Sequence, residues 1–215
     1  MYKLFGKRFL DLFIAISTLL VLSPLFLIIL VILSVYYKGS PFFMQKRPGL
    51  GGRIFSVIKF KSMIDKFDAD GKALPDRERI TNVGVFIRKT SIDELPQLLN
   101  VIKGDMSFIG PRPLLVRYLP FYTDREQTRH NVRPGMTGLA QVNGRNNLQW
   151  EQRLELDAYY VENLSLKLDI QIILKTISKV IKGSDIKVIP SNKPLDVLRK
   201  SEGFVPRQVT EILTN

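Results

Sequence analysis

The 215-residue chain is 45% hydrophobic, enough for one compact domain with a real core plus an anchor. It has no cysteine and one histidine, which excludes disulfides, thiolate metal sites and a histidine-rich zinc centre. A net charge of +12 points to an anionic partner: nucleic acid, an acidic membrane surface or a phosphate-rich substrate.

The first element is apolar. Lys3, Lys7 and Arg8 precede an uncharged run from Leu12 to Tyr37. A signal peptide fits poorly, because the run is too long and no small-x-small cleavage site follows it. A straight transmembrane helix and a bent, re-entrant helix both remain open. Ser23-Pro24 lies mid-run, and proline removes a backbone bond and kinks a helix. Each half is then about 12 residues, or roughly 18 Å, near half of a hydrocarbon core ~30 Å thick. Cations flank both ends, with Lys38, Lys46, Arg47 and Arg53 on the far side. The positive-inside tendency draws both ends to the cytoplasm, which a dip into one leaflet satisfies. Residues 1–38 are therefore read as an anchor broken at Ser23 and Pro24.

From Gly39 the composition becomes that of a soluble domain. Pro41 to Gln45 reads as a short strand or turn, and Ile54 to Phe60 as a strand. Lys59 and Lys61 share one face of it, either as a solvated edge or as diphosphate contacts. Asp65 to Arg79 is a polar loop. Its Asp68-Ala69-Asp70-Gly71 lacks the glutamate of a calcium loop, with Arg77 standing there instead, so calcium is rejected.

The chemistry centres on Arg88 to Pro113. Asp93 and Glu94 are adjacent carboxylates, preceded by Arg88 and Lys89. Ser91-x-x-Glu94 has capping-box spacing, and Pro96 fits a helix that starts close to Asp93. That puts Asp93 at a helix N-terminus, where the dipole favours its ionised form. Taken alone such a box is usually a plain helix cap. Here Leu95, Leu98, Leu99 and Ile102 form a buried stripe that holds the acidic pair on a packed helix. A positioned, ionised carboxylate is what covalent phosphoryl chemistry on aspartate requires. Magnesium is the natural cation for carboxylate and phosphate oxygens. Gly110-Pro111-Arg112-Pro113 then holds an arginine in a stiff turn.

Leu114 to Tyr122 is apolar and aromatic. Tyr118, Phe121 and Tyr122 either sit among headgroups or pack in the core. Arg133 to Gly138 and Gly144-Arg145 are turn-rich, either structural loops or phosphate contacts. Trp150 to Val161 reads as a helix carrying Asp157, Tyr159 and Tyr160. Leu168 to Lys182 reads as a basic amphipathic helix, with Ile170, Ile173, Leu174, Ile177 and Ile181 on one face. Gly183 ends it. Residues 184–215 form a tail of unassigned role, with a short helix near Leu195 to Lys200.

The chain resembles the monotopic phosphoglycosyl transferases, bacterial sugar transferases that prime glycan assembly on polyprenyl phosphate. The likeness runs collinearly from about Lys7 to Lys182. It is carried by Pro48-Gly49, Lys59 to Met63, Asp93 to Gln97, Lys103 to Phe108, Gly110 to Pro113, Arg133 to Gly138, Gln141 to Arg145 and Asp157 to Tyr160. Within that family it is most similar to small members that transfer an acetamido-sugar phosphate in protein glycosylation. Relatives often carry an acidic residue where this chain has Arg117, so a local surface difference is expected there.

The resemblance implies an α+β, mostly helical fold: a re-entrant helix and amphipathic interfacial helices around a small cytoplasmic catalytic domain, residues 39–183, with a short sheet. It implies that Asp93 attacks the sugar-bearing phosphate of a UDP-sugar, releases UMP, and passes the phosphosugar to undecaprenyl phosphate. Asp93 and Glu94 are the expected catalytic and Mg2+-binding residues, with Glu94 as ligand or as helper in the second step. Arg88, Arg112, Arg145 and Lys59 are the expected phosphate contacts. Membrane lipid is an expected partner, nucleic acid is not, and a homo-oligomer stays open. The expected location is the cytoplasmic face of the bacterial inner membrane. The competing reading is a non-catalytic, basic, lipid-binding module, which binds without releasing UMP.

Overall fold

The computed structural model describes residues 2–144, 148–182 and 193–207. Arg145 and Gly183, both named above, lie outside the described residues. Pro24 sets the first bend. Helices α1 (Lys7–Val21) and α2 (Ser23–Tyr37) meet at Leu22 at an angle of 65°. Pro24 has no N–H for the Leu20 carbonyl one turn back, and the Ser23 hydroxyl donates to that carbonyl instead, at 2.8 Å. The break expected at Ser23-Pro24 is present, with Leu22 as the hinge, because proline is tolerated in the first turn of the helix that follows. Among the described residues no single helix is long and apolar enough to cross a membrane, whereas the bent pair together is. Ala15, Ile29 and Leu33 of the pair are buried, while Phe9, Phe13, Leu20, Val21, Val31 and Val35 are exposed, the last by 74%.

The rest is α+β and mostly helical, with two small sheets among the described residues. Strands β1 (Phe42–Pro48) and β2 (Ile54–Phe60) form an antiparallel hairpin that sets Phe43 opposite Lys59 and Arg47 opposite Phe55. A polar stretch follows, in which the Asp68 carboxylate accepts the Asp70 and Lys72 N–H groups of its own turn. It leads through α3 (Asp76–Arg79) to α4 (Asn82–Lys89), a 3-10 turn at Ile92–Glu94, and α5 (Gln97–Lys103). Strand β3 (Ser107–Ile109) pairs in parallel with β4 (Gly135–Thr137). Between those strands lie a 3-10 helix, Val116–Phe121, α6 (Asp124–Gln127) and a 3-10 turn, Thr128–Asn131. Helices α7 (Leu139–Asn143), α8 (Trp150–Glu162), α9 (Leu166–Lys182) and α10 (Leu195–Ser201) complete the described chain.

Polar contacts bind the N-terminal helix pair to this body. Arg8 donates to the carbonyls of Val101 and Ile102, at 2.7 and 3.0 Å, and so covers the C-terminal end of α5. Asp11 accepts the Ser107 hydroxyl and the Phe108 N–H, each at 2.9 Å. Asp169 of α9 pairs with Lys7 at 2.9 Å and accepts the hydroxyls of Tyr2 and Tyr160.

One alternative left open by the sequence is resolved here. Tyr118, Phe121 and Tyr122 are buried, and the two tyrosines pack with Trp150, Leu154 and Leu195 in one core cluster. In α9 the buried positions are Asp169 and Ile172, so Ile170, Leu174 and Ile177 of the expected apolar face point outward. Leu195 anchors α10 in the core, Arg199 pairs with Glu126 at 2.7 Å, and Arg117 reaches Asp196 at 3.5 Å. The difference expected at Arg117 is thus taken up by an ion pair to the C-terminal segment.

Candidate active site

Helix α5 is fastened to the hairpin by Asn100. Its amide donates to the Ser56 carbonyl at 2.8 Å and accepts the Ile58 N–H at 3.0 Å. This buried two-way bond fixes the turn that carries the acidic pair against β2. Lys59 Nζ then lies 2.7 Å from Glu94 Oε1 and 3.7 Å from Asp93 Oδ2. Arg112, held by its proline-flanked turn, reaches the same Glu94 carboxylate at 2.5 Å.

The capping box does not form. Ser91 sits in the left-handed region, φ 58°, and its side chain makes no cap hydrogen bond. Glu94, the reciprocal partner in such a box, is committed to Arg112 and Lys59. Asp93 lies in the 3-10 turn ahead of α5 instead of at the first helical residue, and Pro96 immediately precedes the helix.

Arg88 enters because Gly84 lets α4 lie directly on Ser62. A Cβ at Gly84 would stand 1.8 Å from the Ser62 carbonyl oxygen. Arg88 Nε donates to the Ser62 hydroxyl at 2.9 Å. Arg112 is braced from behind by Arg129, which donates to the Arg112 carbonyl at 2.7 Å and pairs with buried Asp157 at 2.8 Å.

The two carboxylates differ sharply. Burial pushes the Asp93 carboxyl above the usual range; Lys59 pulls it down and the Glu94 charge pushes it up. Burial also works to raise Glu94, but Arg112 and Lys59 outweigh it and hold that group well below the usual range. Glu94 is therefore a fixed negative charge. Asp93, only 8% exposed, is the carboxylate whose ionisation responds to its surroundings.

Both carboxylates line a cavity of about 530 Å³, within the usual size of a small-molecule site. Lys59, Arg88 and Arg112, the candidate phosphate contacts, line it, and Arg145 is outside the described residues. Other residues whose roles the sequence left open fall elsewhere. Lys61 turns to Asp65, and Arg133 donates to the Gly104 carbonyl at 2.9 Å. The glycine turn spends its N–H groups on backbone: Gly110 donates to Thr137 and Gly135 to Pro111, each at 2.9 Å. Tyr159 is exposed, and Tyr160 is buried in the core, bonded to Asp169. Sequence reasoning missed Arg47, Arg129 and Arg153, which also line the cavity. The strand period was the available signal, since Arg47 shares a face of β1 with Gln45 and Phe43.

Among the described residues no three His, Asp or Glu side chains converge into a ready-made metal site. Asp93 and Glu94 suit magnesium only in its usual manner, with one or two carboxylates supplemented by substrate phosphates and water. Asp93 is the less engaged of the two, because both Glu94 oxygens already face Arg112.

Comparison with known proteins identifies the family. The bacterial sugar transferase family matches residues 2–183. The chain is 49% identical over 181 residues to the uncharacterized sugar transferase EpsL of Bacillus subtilis, covering 84% of this chain and 90% of that one. It is 40% identical over 201 residues to the undecaprenyl-phosphate galactose phosphotransferase of Salmonella typhimurium, covering 83% of this chain and 41% of the longer relative. It is 40% identical over 191 residues to the UDP-N-acetylgalactosamine-undecaprenyl-phosphate N-acetylgalactosaminephosphotransferase of Aeromonas hydrophila, covering 83% of this chain and 44% of that one. The chain belongs to the bacterial sugar transferase family.

Proposed function

We propose that this enzyme transfers a sugar 1-phosphate from a UDP-sugar, with an N-acetylated amino sugar as the favoured donor, to undecaprenyl phosphate at a membrane surface. The products are undecaprenyl-diphospho-sugar and UMP, and the step opens polysaccharide or glycoprotein glycan assembly. The carrying observation is Asp93: a buried, weakly engaged carboxylate at the wall of a cation-lined cavity of about 530 Å³. Phosphoryl transfer needs positioning and charge neutralisation more than any other help, and this cavity supplies both.

In the first step an Asp93 oxygen attacks the sugar-bearing phosphorus. The phosphoanhydride bond breaks, its electron pair leaves on the UMP oxygen, and a phosphosugar remains on Asp93. In the second step an undecaprenyl phosphate oxygen attacks that phosphorus, the acyl-phosphate bond breaks, and the Asp93 carboxylate is restored. Lys59 and Arg112, held by Glu94, neutralise the transferring phosphate, and Arg88 adds charge from α4. Asp93, with Glu94 and the substrate phosphates, would hold Mg2+, which would supply further charge neutralisation.

The membrane reading rests on exposed apolar surface. Large contiguous apolar patches on a protein mark interaction or membrane surfaces. Here the bent α1–α2 pair and α9 both expose several large apolar side chains, with Leu174 of α9 62% exposed. Positive flanks on both sides of the bend support a re-entrant, monotopic anchor on the cytoplasmic face. A UMP-release assay with UDP-galactose, UDP-N-acetylgalactosamine and other UDP-sugars, with undecaprenyl phosphate in detergent, tests the reading. At least one donor yields UMP and a lipid-linked diphosphosugar in equal amounts; lipid binding without UMP release would leave the non-catalytic module.

A further inference from the structure

Beside the main cavity lies a small side pocket of about 40 Å³, sharing Gln45, Arg47, Lys59 and Arg112 with it and adding Gln97. Its polar lining is rich in donors. The Gln97 side-chain NH2 is buried with no hydrogen-bond partner, and Gln97 as a whole is 2% exposed. Arg47 makes no ion pair among the described residues; its guanidinium donates to the neutral Gln45 amide oxygen. Burial and then the nearby Arg112 charge hold its guanidinium down at about 10. A half-buried cation without a counter-charge and a buried amide without a partner each cost stability. Both costs vanish when an anion with several acceptor oxygens enters between them.

We propose that Arg47 and Gln97 receive the uridine-side phosphate of the donor, the phosphate that departs as UMP. This rests on the reading of the chain as a sugar-phosphate transferase. Three phosphates take part in that reaction, and placement separates them. The sugar-bearing phosphorus must meet Asp93, where Lys59 stands 3.7 Å away. The lipid phosphate comes from the anchor side. Strand β1 starts on that side, with Phe42 packed against Phe26 of α2 and stacked on Phe60. Arg47 lies five residues further along, roughly 17 Å away at about 3.4 Å per residue. That end of the hairpin meets the Val116–Phe121 and Thr128–Asn131 segments, and the core cluster that holds Tyr118 and Leu119 of the first contains no residue of α1 or α2. When the phosphoanhydride bond breaks, UMP gains a negative charge on its former bridging oxygen. A guanidinium already desolvated there stabilises that charge without reorganisation.

The test uses the full-length protein in detergent with a turned-over UDP-sugar, undecaprenyl phosphate and added UMP as product inhibitor. Arg47→Ala weakens UMP inhibition tenfold or more and raises KM for the UDP-sugar, while KM for undecaprenyl phosphate stays within twofold. Arg47→Lys recovers part of the UMP affinity, and Gln97→Ala weakens it by a smaller factor. Arg47→Ala removes an unpaired charge, so its melting temperature is not lowered; Arg47→Gln is the second variant if it is. Unchanged UMP inhibition in a folded, active Arg47→Ala enzyme overturns the proposal, as does a loss that falls on undecaprenyl phosphate. A wild-type enzyme that neither releases UMP nor responds to it overturns the underlying functional reading as well.

Discussion

Arg112 grips the Glu94 carboxylate at two points, Nη2 to Oε1 at 2.5 Å and Nη1 to Oε2 at 3.4 Å. With Lys59 on the same Oε1 at 2.7 Å, Glu94 gathers two cations beside Asp93. Glu94→Gln keeps the shape and removes the charge that holds them. The expected result is a loss in kcat of about 10²-fold, the usual scale for one electrostatic contact at a reacting centre. Asp93→Asn removes the proposed attacking group and is expected to leave no UMP release at all. Steady-state UMP release by the two variants checks this, and equal losses would contradict the division of roles.

Acidity should separate the same residues. In the proposed mechanism Asp93 must be ionised to attack, and its burial raises the pH at which it takes a proton. The rate of UMP release therefore falls on acidification at a pH above the ordinary carboxylate value of about 4. Lys59 works to lower the Asp93 value, so Lys59→Ala moves the acid limb of kcat/KM to higher pH. A limb that stays in place would deny the coupling.

Stability carries a different pH signature. Burial, and then Arg129, push the His130 imidazole down to about 3, against a backbone hydrogen bond with Gly49 that works to raise it. The unfolded chain takes up that proton near pH 6.5 and the folded chain refuses it, so His130's contribution is intact above about 6.5 and falls as pH drops toward 3. By pH 5 the loss is about 2 kcal/mol, or about 5 °C in Tm. Thermal melts at pH 7 and pH 5 check this. His130→Gln should flatten the difference.

The bend is testable because the chain has no cysteine of its own. A single cysteine at Lys3 reports which side of a vesicle the N-terminus occupies. Pro24→Ala restores the N–H for the Leu20 carbonyl, straightens the pair and moves the label to the face opposite the catalytic domain. A label that stays on the same face would contradict the role given to Pro24.

Much of this site was legible in the sequence, for identifiable reasons. Proline lacks an N–H in every context, so the break at residues 22–24 could be read locally. The acidic pair and Arg112 lie within one short run whose stripe and prolines fix their neighbourhood. The capping box was misread because tertiary cations outcompeted a local hydrogen bond for Glu94. Arg47 and Asn100 were missed because their roles depend on strand register and on a helix docking across 42 residues of sequence. The outward apolar face of α9 was legible as a stripe, but only the burial of Asp169 and Ile172 shows which side meets the protein.

On the proposed role of Mg2+ with the substrate phosphates, its removal should stop turnover while leaving the fold intact. Chelation with EDTA is expected to abolish UMP release, and Mg2+ in excess to restore it, with an unchanged melting curve in the absence of donor. Full activity after chelation would remove the cation from the site.

The most direct test of the central claim omits the lipid acceptor. Wild-type enzyme mixed with a UDP-sugar should release up to one equivalent of UMP, and mass spectrometry should find a sugar phosphate on the peptide that contains Asp93. No UMP without acceptor, or the phosphosugar on any other residue, would contradict it.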